Sequence, residues 1–115
     1  MPDFVIAAQR LEDFAGEVLQ RVGVDVAAAQ TTAQALVEAE RQGLGSHGVL
    51  LLPMYVERIE AGSVSTAGQA QLVLDKQSVA VLDAGNALGQ ATASQAMALA
   101  CERAGQFGLG AVAVR

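Results

Sequence analysis

The sequence predicts an α+β fold: an N-terminal helical subdomain over residues 1–65, then a β-hairpin, an Ala-rich helix and a terminal strand over residues 66–115. Three observations carry this. Apolar residues recur every three or four positions through the first part of the chain. After a small polar stretch from Ser63 to Gln69 the period falls to two. Near the end, an Ala-rich segment delivers the apolar run Ala111-Val112-Ala113-Val114, an order of elements that opens a βα arrangement.

Leu11, Phe14, Ala15, Val18, Leu19 and Val22 form one helical stripe, with Glu12, Asp13, Glu17, Gln20 and Arg21 opposite. Gly23 follows where a left-handed residue ends a helix. Asp25 is suited to cap a second helix running to about Gln42 and closed by Gly43, its packing face being Ala29, Ala33, Leu36 and Val37 with the stem of Glu40 at its edge. So short a link makes the two an antiparallel hairpin. A third helix is expected from Ser46 as N-cap to Gly62, striped by Val49, Leu52, Val56 and Ile59. Pro53 cannot sit quietly in its interior, so the sequence calls for a kink or for a short first turn before the helix proper. Leu72, Leu74, Val79 and Val81 alternate around Asp75-Lys76-Gln77-Ser78, which reads as a hairpin turn. Asp83-Ala84-Gly85-Asn86 is a loop. Leu88 to Ala104 is the Ala-rich helix, broken by Gly105, Gly108 and Gly110.

Composition excludes several classes. The 115 residues are 52% hydrophobic and 17% charged, outside the disordered range. A chain of this length buries roughly two-thirds of its unfolded surface, enough for one core without disulfides. Seven basic against twelve acidic residues leave a net charge of −5, and no two basic residues are adjacent, so a nucleic-acid partner is not expected. The longest apolar run, Val49 to Val56, contains Pro53 and is far too short for a bilayer, and the N-terminus has no secretory pattern. One cysteine, Cys101, and one histidine leave no disulfide and no His/Cys metal site. Cys101 is expected as a small core residue. The default is a cytoplasmic domain.

Gly43-Leu44-Gly45-Ser46-His47-Gly48 has the glycine spacing of a dinucleotide-binding turn. That turn needs a strand before it. Here Leu36 to Gln42 is helical, so the glycines read as a helix stop and a tight turn. The same segment holds the only imidazole. Glycines near His47 leave its ring uncovered, and a place in the first turn of a helix would favour the neutral form that exchanges protons near neutrality. Equally, His47 could be a surface or satisfied core histidine. Tyr55, eight residues on, can share its face or be a partly buried helix tyrosine.

Read together, Glu40-Arg41-Gln42-Gly43-Leu44-Gly45-Ser46-His47-Gly48-Val49, Leu52-Pro53-Met54-Tyr55, Ile59-Glu60-Ala61-Gly62-Ser63-Val64 and Leu82-Asp83-Ala84-Gly85-Asn86-Ala87-Leu88-Gly89-Gln90 resemble the N-terminal region of the malate/L-lactate dehydrogenase family. This non-Rossmann group includes ureidoglycolate dehydrogenase and piperideine-2-carboxylate reductase. The resemblance implies a larger dehydrogenase fold, a homodimer when full length, and NAD or NADP as cofactor. It further implies hydride exchange with a small 2-oxo, 2-hydroxy or imino acid. It marks His47 as the catalytic proton carrier, and Ser46 and Tyr55 as substrate-binding; no cofactor-binding residue is assigned and no metal is implied. Two departures stand out. Many relatives carry Arg four residues after the histidine, where this chain has Leu51. The second active-site histidine and nicotinamide-binding domain of relatives lie beyond Arg115, so the chain by itself is expected to be inactive. The alternative is a truncated, inactive remnant or an oligomerisation or interaction module.

Overall fold

The computed structural model describes residues 4–115, so Met1, Pro2 and Asp3 lie outside the described residues. The order of elements is α1 (Ala8–Arg21), α2 (Val26–Arg41), two single 3₁₀ turns (Gly45–His47 and Val49–Leu51), α3 (Leu52–Glu60), β1 (Gln71–Lys76), β2 (Val79–Asp83), α4 (Gly89–Phe107) and β3 (Ala111–Val114). The class is α+β, as expected.

Asp25 caps α2, its Oδ2 accepting from the Ala28 amide at 3.1 Å. Gly23 and Gly43 follow α1 and α2 with φ of 98° and 75°. Small residues let the two helices close on each other: a side chain at Gly16 would meet the Ala33 methyl at 3.8 Å. Ala15, Leu19, Ala29, Ala33 and Leu36 form the core with Leu52 and Ile59 of α3 and Leu88 ahead of α4. Phe14, expected on the buried stripe, is 59% exposed. The face of α1 toward α2 is narrow because alanine and glycine set the helices close, and Phe14 falls outside it.

The third helix is shorter than expected. It begins at Leu52, preceded by two 3₁₀ turns rather than by an N-cap at Ser46. Pro53 decides this: it sits in the first helical turn, where its missing N–H costs nothing. Of the two outcomes the sequence allowed, the short first turn is realised.

The sheet has the order β1-β2-β3. β1 is antiparallel to β2 through the two-residue loop Gln77-Ser78, tighter than the four-residue turn expected, and Val73 is an extra residue where the register shifts. β2 and β3 run parallel and are joined through α4, so the expected βα arrangement is present. Only one face of β2 is covered, by Ala80 and Leu82 pointing inward, whereas Leu72, Val73, Leu74 and Val79 are exposed. α4 runs through Gly105 and stops at Gly108, whose φ is 83°. Its inner line is Thr92, Ala96, Leu99 and Arg103, at helical spacing, which leaves Cys101 exposed rather than in the core. Arg103 grips Asp75 with two bonds of 2.6 and 2.9 Å, tying α4 to β1. The radius of gyration is 15.7 Å against about 13 Å for a compact domain of this length, an elongated form with much open surface.

Candidate functional site

Ser46 and His47 stand on the first 3₁₀ turn after α2. Gly43 reverses the chain, and the amide of Leu44 returns to the Ala39 carbonyl at 2.8 Å. Gly48 is extended (φ −95°, ψ −150°) between the two turns. There the side chain of Glu40, reaching over from α2, accepts the Val49 amide at 3.0 Å. A side chain at Gly48 would run into that carboxylate. The turn is thus shaped by Gly48 and locked by Glu40, a role hidden from sequence reasoning because nine residues and a chain reversal separate Glu40 from Val49.

The His47 ring is exposed. Its Nδ1 lies 2.9 Å from Ser46 Oγ, and among the described residues its Nε2 makes no hydrogen bond. Because His47 sits in a three-residue turn ahead of α3, the condition for a helix-dipole influence on its ring is not met. Ser46 does not cap a helix; its hydroxyl goes to the imidazole.

Tyr55, on α3, is half-buried and accepts a hydrogen bond of 2.8 Å from Gln90 Nε2 at the start of α4. Both line a cavity of about 510 Å³ between α3 and α4, together with Arg58, Val64, Leu88 and Gly89. Ser46 and His47 do not line it. The structure brings Ser46 and His47 together and sets Tyr55 with Gln90. Leu51 is half-buried against the core, so the position after the histidine turn offers no polar contact.

The sequence profile described as malate/L-lactate dehydrogenase matches residues 6–115. The chain belongs to the malate/L-lactate dehydrogenase family. The family chain is 36% identical over 98 residues to a malate/(S)-sulfolactate dehydrogenase of Methanothermus fervidus, a match covering 85% of this chain and 29% of that protein. It is 36% identical over 110 residues to a (2R)-3-sulfolactate dehydrogenase (NADP(+)) of Chromohalobacter salexigens, covering 96% and 33%. Among solved structures, malate dehydrogenase from Pyrococcus horikoshii superposes with a TM-score of 0.92 at 32% identity, covering 96% of this chain and 32% of that one. The chain spans about a third of the length of these relatives.

In this family chain, the glycine segment does not fit a dinucleotide. It follows α2 instead of a strand, and the carboxylate of Glu40 already occupies the space beside Gly48 and takes the Val49 amide. A pyrophosphate there would meet a negative charge where it needs free N–H groups. Among the described residues no three His, Cys, Asp or Glu side chains gather as metal ligands.

Proposed function

We propose that this chain is the N-terminal part of an oxidoreductase that interconverts a small 2-hydroxy acid and its 2-oxo (or imino) counterpart by hydride exchange with NAD or NADP. Residues 1–65 would form its helical subdomain and residues 66–115 the opening of an α/β subdomain. The reading includes a homodimeric, cytoplasmic enzyme without nucleic-acid or membrane partners. Family membership supports the reaction class, and the Chromohalobacter relative, an NADP(+) enzyme by name, makes NADP the first cofactor to try. Among the described residues no helix is long and apolar enough to cross a membrane. Because the glycine segment does not fit a dinucleotide, none of its residues is assigned to the cofactor.

The observation that carries the reading is the open His47 ring with Ser46 on one nitrogen only. When Nδ1–H donates to Ser46 Oγ, Nε2 presents a lone pair outward. In the oxidation direction that nitrogen takes the proton of the substrate hydroxyl; in reduction the imidazolium returns it to the forming alkoxide. The hydrogen bond to Ser46 persists through both, holding the tautomer that the proton transfer needs. Tyr55 would line the substrate pocket. Assays of the full-length enzyme with NADH or NADPH and 2-oxo acids test this: His47→Ala should lower kcat roughly 10²- to 10⁴-fold. A variant with unchanged turnover would remove His47 from the chemistry.

A further inference from the structure

The cavity between α3 and α4 sets a cation and a hydroxyl donor beside an apolar wall. The protein carries a net charge of −5, yet among the described residues no Asp or Glu lines this cavity, and the one charged residue lining it is Arg58. Among the described residues Arg58, like Arg10 and Lys76, makes no ion pair, whereas Arg21, Arg41, Arg103 and Arg115 each have a carboxylate. The Tyr55 hydroxyl accepts from Gln90, which leaves its own proton free to donate. Val64 and Leu88 supply apolar wall, and the volume of about 510 Å³ lies within the span of small-ligand sites. Gly89 and Gln90 of the same lining open α4, whose first turn has no side-chain cap and no acidic residue.

We propose that this cavity binds the carboxylate of the acid substrate, with the Arg58 guanidinium as its cation and the Tyr55 hydroxyl as a second donor. A guanidinium presents paired N–H groups that match a carboxylate's two oxygens, a contact worth roughly ten- to a hundredfold in affinity. The apolar wall then faces the carbon skeleton. The inference rests on the reading of the substrate as a 2-hydroxy or 2-oxo acid, and it adds the group that recognises the acid.

Titration calorimetry of the protein with malonate, and with neutral malonamide as control, tests it apart from catalysis. Malonate should bind and malonamide should not; Arg58→Met should weaken malonate binding at least tenfold, Tyr55→Phe by less, and Arg58→Lys should recover part of the loss. Arg58 is exposed, so equal urea midpoints for wild type and Arg58→Met will confirm an intact fold. With substrate, Arg58→Met should raise KM more than it lowers kcat. If malonate does not bind, or binds Arg58→Met as tightly as wild type, the proposal fails. His47→Ala should bind malonate normally. Loss of the His47 role with malonate binding retained would overturn the proposed proton transfer and leave the anion site standing.

Discussion

The carboxylate of Glu40 stands where a side chain on Gly48 would have to go, and from there it holds the Val49 amide at 3.0 Å. One contact therefore fixes both the close approach of α2 to the turn and the backbone that presents Ser46 and His47. The space beside an absent Cβ is filled by a charge-assisted hydrogen bond.

Gly48→Ala should displace Glu40 and cost about 1.5–3 kcal/mol, the range for a hydrogen bond to a charged group. Glu40→Ala should cost a similar amount. The double variant should be no worse than either single, because both remove the same bond. Urea denaturation of the four proteins checks this, and additive losses would show that the two residues act separately.

Ser46→Ala should keep the fold and lower kcat about tenfold or more, less than His47→Ala, because it frees the ring tautomer without removing the proton carrier. Steady-state kinetics of the two variants separates the roles, and equal losses would show that the hydroxyl does more than hold the ring.

Arg103 holds the Asp75 carboxyl below its ordinary pKa, chiefly through their paired hydrogen bonds, while partial desolvation opposes the shift. A depressed carboxyl contributes stability that is present above its unfolded pKa of about 3.9 and is lost as pH falls through the lower folded value. Asp75→Asn should therefore lower the Tm at neutral pH and shrink the further loss on acidification below pH ~4. Melting curves from neutral to acid pH measure both.

The Thr32 hydroxyl is fully buried and, among the described residues, without a hydrogen-bond partner. Thr32→Val keeps the shape and removes the unmet polar group, so it should raise stability by about 1 kcal/mol. A lower urea midpoint would show that the hydroxyl has a partner.

Periodicity and end signals made the helices legible: Asp25 as cap and Gly23 and Gly43 as stops act through neighbours a few residues away. The parallel pairing of β2 with β3 was foreshadowed only as the opening of a βα arrangement. Its partner residues, Val79 with Ala111 and Leu82 with Val114, lie more than thirty positions apart. The inward face of β2 was not legible for the same reason. Valines alternate with Ala80 and Leu82, and composition cannot say which parity α4 covers.

By itself the sequence determined the elements, the family and the isolation of one imidazole between glycines, since these depend on residue type and short spacing. Tertiary structure alone decided that Glu40 locks the histidine turn, that Ser46 serves the ring instead of a helix end, and that Tyr55, Arg58 and Gln90 meet around one cavity. The bonds of Glu40 to Val49 and of Gln90 to Tyr55 cross chain reversals, and Ser46 turns to its neighbour because the backbone there is a 3₁₀ turn; both depend on positions in space that linear order does not encode.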